Sequence, residues 1–163
     1  MPRMDARSQD CASVAAGLRV VLDTNVLLSL WVFNKRPGGS QFAPLRELIE
    51  NGALVVLSNP ECLAEFERVL GYPEFKLTPQ MQCDILSEYV KVITVVTAGV
   101  PVDMPLPCCR DGDDQKYLEL ARDGTAQFLV TSDKALLKLA RHKSLASLFR
   151  IVTPELFMLN ELF

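Results

Sequence analysis

Short apolar runs alternate with segments of helical periodicity from residue 18 onward. The first run, Leu18-Arg19-Val20-Val21-Leu22, is almost continuously apolar, as a central strand covered on both faces should be. Val26, Leu27, Leu30 and Trp31 then recur at helical spacing and predict a helix over 24–33. Asn34-Lys35-Arg36-Pro37-Gly38-Gly39-Ser40 breaks it. Phe42, Leu45, Leu48 and Ile49 mark a second helix over 41–51, stopped by Asn51-Gly52, and a strand is predicted at 53–57. Ser58-Asn59-Pro60-Glu61 reads as a helix start, a polar cap followed by Pro in the first turn. That helix runs over 60–70 with Cys62, Leu63, Phe66, Val69 and Leu70 on one side, and Gly71-Tyr72-Pro73 ends it.

The second half repeats the alternation. Thr78-Pro79 opens a helix over 79–91 with Met81, Ile85, Leu86 and Tyr89 inward, and a β-branched strand follows at 92–96. Pro101, Pro105 and Pro107 make 97–107 irregular. A helix over 113–123 turns Tyr117, Leu118 and Ala121 inward and stops at Gly124. A strand at 127–131 leads through Ser132-Asp133 into a helix over 134–141, with Leu136, Leu137 and Ala140 on its apolar face. A short strand at 150–152 precedes a last helix begun by Thr153-Pro154-Glu155, with Leu156, Phe157, Leu159 and Leu162 apolar. This alternation predicts a three-layer α/β/α sandwich around a parallel sheet. Residues 1–17 show no period and read as an N-terminal tail, leaving 18–163 as one domain long enough for a single core.

Composition narrows the function. A hydrophobic fraction of 49% argues against disorder. With 20 acidic against 17 basic residues the net charge is −3, so no global field draws the chain to nucleic acid or an anionic membrane. A nucleic-acid role therefore needs a local basic surface. The five cysteines are irregularly spaced, form no C-x-x-C, and accompany one histidine, His142. Neither a disulfide framework nor a zinc cluster fits, and buried, reduced thiols are expected. No apolar run reaches transmembrane length and the first residues lack the apolar segment of an export signal, so the expectation is a cytoplasmic chain with no membrane partner.

The carboxylates carry the candidate chemistry. Asp23 and Asp133 each stand just beyond a predicted strand end, hence on the same carboxyl edge of a parallel sheet, where ligands gather in open α/β sheets. Asp111 and Asp114 stand at the start of the helix over 113–123, and Glu65 about a turn and a half into the helix over 60–70. Singly, each has an ordinary role: helix caps for Asp23 and Asp133, a capping-box-like pair for Asp111 and Asp114, an i,i+3 ion pair with Arg68 for Glu65. Together on one edge they repel unless a cation neutralises them. A hard, oxygen-ligated ion, magnesium or manganese rather than zinc, suits this set and suits phosphoryl chemistry. There is no Ser-His-Asp arrangement, P-loop or G-x-G-x-x-G.

Four segments, Val-Leu-Asp23-Thr-Asn25-Val-Leu, Ser-Asn-Pro-Glu-Cys-Leu-Ala-Glu65-Phe-Glu-Arg-Val-Leu, Cys-Arg-Asp111-Gly-Asp-Asp114-Gln-Lys-Tyr-Leu-Glu-Leu-Ala and Leu-Val-Thr131-Ser-Asp133-Lys-Ala-Leu-Leu, stand in the order and placement seen in PIN domains. From about Leu18 onward the chain resembles these small metal-dependent ribonucleases, most closely the bacterial and archaeal branch described as toxins of toxin–antitoxin pairs. The resemblance implies a five-stranded parallel sheet in the order 3-2-1-4-5 and a carboxylate site that binds Mg²⁺ or Mn²⁺ and hydrolyses RNA with a metal-activated water. Carried over by position, Asp23, Glu65, Asp114 and Asp133 are the catalytic and metal-binding acids. Asp114 stands seven residues before Ala121, the family spacing for the third acid. Asp111 is typical of this branch and reaches a metal or its water shell. Asn25, Thr131 and Ser132 are supporting residues that orient ligands and water, and Glu65 or Asp114 is the candidate proton acceptor. Gly112 and Ser132 depart from the Pro and Gly common at those positions. Phosphate contacts are expected from Lys35, Arg36, Arg110, Lys116 and the basic run from Lys134 to Lys143. For a toxin, the branch implies a small antitoxin protein over the acidic edge and a homodimer. The competing readings are a non-catalytic PIN-like RNA- or protein-binding module and an α/β phosphatase-like phosphotransfer domain; Asn25 counts against the latter, where an Asp-x-Asp pair is needed.

Overall fold

The computed structural model describes residues 17–35, 41–97, 106–108 and 112–161. Its strands are β1 (Leu18–Leu22), β2 (Leu54–Ser58), β3 (Ile93–Val95), β4 (Phe128–Val130) and β5 (Arg150–Val152). They pair in parallel in the order β3-β2-β1-β4-β5, as the resemblance implied. The helices are α1 (Thr24–Trp31), α2 (Ala43–Glu50), α3 (Pro60–Leu70), α4 (Pro79–Val92), α5 (Gln115–Asp123), α6 (Lys134–Leu137) and α7 (Pro154–Glu161).

The strand pleat explains the three layers, because successive side chains leave a strand on opposite faces. Val20 and Leu22 of β1 join a core with Trp31 of α1, Leu45 of α2, Phe66 of α3, Tyr89 of α4 and Phe157 of α7. Val21 faces the other way, into a core with Leu118 and Ala121 of α5, Leu129 of β4 and Leu136 of α6. Both layers are dry at their centres: Trp31, Phe66, Leu118 and Leu129 are wholly buried. Each such side chain contributes about 1.5–3 kcal/mol on burial.

Local signals set most element ends. Asn59 accepts from the Cys62 N–H at 2.8 Å and Thr78 from the Met81 N–H at 3.1 Å, and each is followed by Pro in the first turn. Two helices end sooner than their periodicity predicts. α1 gives way to a 3-10 turn (Phe33–Lys35), and α6 tightens after Leu137 into another (Lys138–Arg141). In the second, only Leu136 is fully buried and Ala140 is exposed, so little packing holds the wider α-helical turn. Met81 is 46% exposed rather than inward, because it lies a turn before Ile85 and overhangs the core. Leu156 and Leu159 are also exposed: the apolar residues of α7 are spread around the helix and only Phe157 among them reaches the centre.

Of the thiols, Cys62 is buried, and burial pushes it up to about 12, which keeps it protonated and inert. Cys83 and Cys108 are free but exposed, against the expectation of buried thiols; Cys11 and Cys109 lie outside the described residues. So does the predicted tail up to residue 16. Among the described residues no helix is long and apolar enough to cross a membrane.

Gly124 joins α5 to β4 at a close approach. A Cβ there would stand 2.7 Å from Leu57 Cδ1, 3.0 Å from the Leu120 carbonyl oxygen and 3.0 Å from Val96 Cγ2. The leucine end can swing away, but the carbonyl is backbone. Gly124→Ala is expected to lower unfolding free energy by about 1 kcal/mol, read by urea denaturation, because overpacking outweighs the entropy gained by removing a glycine.

Candidate active site

The floor of the site is built by two neighbouring strand ends. Leu22 of β1 pairs with Val130 of β4, and the ladder runs one step further through the Asp23 N–H to the Val130 carbonyl, 3.2 Å. Asp23 is therefore held by backbone before its side chain is considered. Its carboxylate then caps α1, with Oδ1 accepting from the Val26 N–H at 3.0 Å. Beside it, the wholly buried Thr131 donates its hydroxyl to Asp23 Oδ2. Thr131 Oγ1 accepts in turn from the Asp133 N–H at 3.0 Å. Asp133 caps α6 through Oδ1, which accepts from Ala135 N at 2.7 Å and Leu136 N at 3.3 Å. Both acids are thus helix caps, as their positions suggested, and both also line one cleft. A single residue does both because a strand-to-helix turn aims the cap outward from the sheet edge.

Asp23 is only 4% exposed. Burial pushes its carboxyl above the ordinary range; hydrogen bonds from Thr131 and Val26 oppose this, the negative charge of Asp133 adds to it, and the Ser132 N–H opposes it. Glu65 on α3 behaves in the opposite way. Burial works upward on it too, but hydrogen bonds from Lys116, Thr24 and Tyr117 outweigh that and hold it below the usual carboxylate range. Lys116 Nζ on α5 lies 2.7 Å from Glu65 Oε1, and Arg68 Nη2 is more distant at 3.8 Å. The Thr24 hydroxyl donates to Oε2 at 2.5 Å, and the Tyr117 hydroxyl donates to the same oxygen. The Arg68 ion pair expected for Glu65 is present, but it is secondary to Lys116.

Asp23, Glu65, Asp114 and Asp133 line a single cleft of about 350 Å³, together with Asn25. Asp114 stands at the cap position of α5 without a side-chain cap hydrogen bond, and the pair it was expected to make with Asp111 lies outside the described residues. Ser132 is exposed and contributes its backbone N–H toward Asp23. Lys116, expected to touch phosphate, is engaged with Glu65 and only 16% of its side chain is exposed. Lys134 is exposed at the start of α6. Lys35 ends a 3-10 turn, while Arg36, Arg110 and Asp111 lie outside the described residues.

Two residues of the site were not singled out by the sequence. Tyr117 reads as a core residue and is indeed 2% exposed, yet its hydroxyl tip reaches Glu65. Thr24 lies between two marked positions and is the only hydroxyl in Asp23-Thr24-Asn25, a signal that was available.

The donor chemistry of this cleft is all oxygen, carboxylates with nearby hydroxyl and amide groups, which fits a hard divalent cation and no thiophilic one. Among the described residues, however, no three such side chains are gathered closely enough to hold an ion between them.

The family model of the PIN domain matches residues 19–135. The chain belongs to the PIN domain family. No curated protein matches it. The match begins in β1 and ends in α6, so it spans Asp23, Glu65, Asp114 and Asp133, while β5 and α7 lie beyond it. The PIN domain is in general a nuclease-type fold that uses a divalent metal.

Proposed function

We propose that this PIN domain is a Mg²⁺- or Mn²⁺-dependent endoribonuclease that hydrolyses a phosphodiester with water. The observation that carries the reading is the placement of Asp23 and Asp133 on adjacent strand ends, at the floor of a cleft they share with Asp114 and Glu65. Asp23, Asp114 and Asp133 are the residues to hold the ion, and Asp111 is a further candidate by its place in the sequence. When bound, such an ion lowers the pKa of a coordinated water and neutralises charge on the phosphate. Thr131 fixes one oxygen of Asp23 and the Val26 N–H the other, so that carboxylate is oriented before anything binds. Asn25, exposed in the cleft, orients water or phosphate. Glu65 is held ionised and occupied by three donors, which makes it a weak base. The proton of the attacking water therefore falls to Asp114, and Glu65 acts by holding Lys116 and the α3–α5 wall in place.

The motif resemblance supports further steps of the same reading: a cytoplasmic toxin of a toxin–antitoxin pair, a small antitoxin covering the acidic edge, a homodimer, and one PIN-like unit over 18–163. Lys134 at the start of α6 and Arg68 in the cleft lining supply phosphate contacts.

The test is direct. The purified chain, incubated with a mixed RNA pool and Mn²⁺ or Mg²⁺, is expected to give cleavage products that disappear with chelator and return when the ion is restored. RNA left intact in both ions would sink the nuclease reading and favour a binding module.

A further inference from the structure

Part of the cleft lining is aromatic. Tyr72 and Phe75 line it with their rings nearly parallel, centroids 6.5 Å apart and planes within 6°. The cause is local: Pro73 opens a 3-10 turn (Pro73–Phe75), and residues three apart eclipse in 3-10 geometry. Phe33 packs edge-on behind Phe75, centroids 6.0 Å apart, and fixes that ring from the back. Arg68 donates to the Tyr72 hydroxyl at 2.8 Å, and its guanidinium lies 5.9 Å from the centre of that ring. Its side chain is 63% exposed at the mouth of the cleft.

A pair of rings serving only the core would be buried, as Trp31, Phe66 and Tyr89 are. Tyr72 and Phe75 are only half-buried, and they face a polar cleft. We infer that Tyr72, Phe75 and Arg68 form a base-stacking subsite that takes an unpaired nucleobase next to the scissile phosphate and commits this cleft to single-stranded RNA. This rests on the ribonuclease reading above. The chemistry selects the occupant. Every base offers a π face, so stacking holds RNA without reading its sequence. In an A-form duplex those faces are covered by neighbouring bases, so only a splayed nucleotide reaches the wall. The carboxylates repel the backbone, and a guanidinium beside the rings supplies the opposite charge at the entrance. Phe75 also borders a second, apolar hollow of about 350 Å³ with Trp31 and Met81.

Binding is read by anisotropy of a short fluorescein-labelled mixed-sequence RNA, on the Asp23→Asn chain in Mg²⁺ so that cleavage does not intrude. Adding Tyr72→Leu and Phe75→Leu, which keep apolar bulk but remove the rings, is expected to weaken single-strand binding about tenfold. Binding of the same sequence as a duplex should change little, and Tyr72→Phe should retain the affinity. An abasic nucleotide at the contacted position should erase the difference between parent and variant. The inference is overturned if the parent does not bind the single strand, if the leucine variants bind it as tightly, or if they lose duplex binding by the same factor. Wild-type cleavage is scored separately. A chain that cuts no RNA but shows the ring-dependent, single-strand-selective binding loses the nuclease reading and keeps the subsite. A chain that cuts RNA, with binding indifferent to the rings, does the reverse.

Discussion

Asp23→Asn is expected to reduce metal-dependent RNA cleavage by about a thousandfold, the scale lost when one group that organises transition-state charge is removed. The amide keeps the shape and the helix cap, since its oxygen still accepts from the Val26 N–H and Asn is among the best capping residues. What it removes is a negative charge at the junction of β1 and α1, on a carboxylate fixed by both strand pairing and side-chain bonds. The fold should not suffer. Burial holds the Asp23 carboxyl above its ordinary range, so the folded chain binds that proton more tightly than the unfolded chain does. Ionisation there therefore works against folding at neutral pH, and the penalty fades as pH falls through the raised folded value toward the ordinary carboxylate range, below which both states are protonated. In chelator at neutral pH, Asp23→Asn should be as stable as the parent or more so, with the gain shrinking in acid. Denaturant titrations across pH check the second part, and single-turnover cleavage in Mn²⁺ checks the first. Full cleavage by a folded Asp23→Asn chain would remove Asp23 from the site.

That both halves of this expectation attach to one residue shows what was legible in the chain. β1, β5 and α3 lie where their patterns put them, because each has a local cause: β-branched runs for the strands, and Asn59 with Pro60 for the helix. The acids were legible as a set because strand ends in a parallel sheet share an edge. What periodicity does not carry is which helix stands beside which. Lys116 reads as a surface cation, and only the packing of α3 beside α5, residues 51 positions apart in sequence, turns it onto Glu65. Tyr117 reads as core because its ring is core; the hydroxyl at its tip belongs to the cleft. Met81 and Ala140 fall on apolar faces by period, yet a period does not say where the sheet beneath a helix ends. Tyr72 reads only as part of the helix stop Gly71-Tyr72-Pro73, although a proline between two aromatics three apart is an available signal.

The Glu65 cluster leads to the second large effect. Lys116→Met keeps the aliphatic length that packs along α5 and removes only the ammonium. Glu65, with 15% of its side chain exposed, is then left to Thr24 and Tyr117, neutral donors that share one of its oxygens, and to the more distant Arg68 at 3.8 Å. A hydrogen bond to a charged, largely buried group contributes about 1.5–3 kcal/mol, so the variant is expected to lose about 2 kcal/mol of unfolding free energy at neutral pH. The pH dependence tests the cause. Because the folded-state carboxyl of Glu65 is depressed, its stabilisation is present above the ordinary glutamate range and is lost as pH falls through the lower folded value. The deficit of Lys116→Met should therefore be flat at neutral pH and close in acid, once Glu65 is protonated in both chains. Glu65→Gln should abolish that convergence, since no carboxylate remains for Lys116 to hold, and in the double variant the two losses should not add. Cleavage should fall along with stability, by more than tenfold, because α3 and α5 carry opposite parts of the cleft, Glu65 and Asp114, and this pair ties them together. If the deficit persists unchanged in acid, Lys116 acts through packing alone and the ion pair is not what fixes the wall.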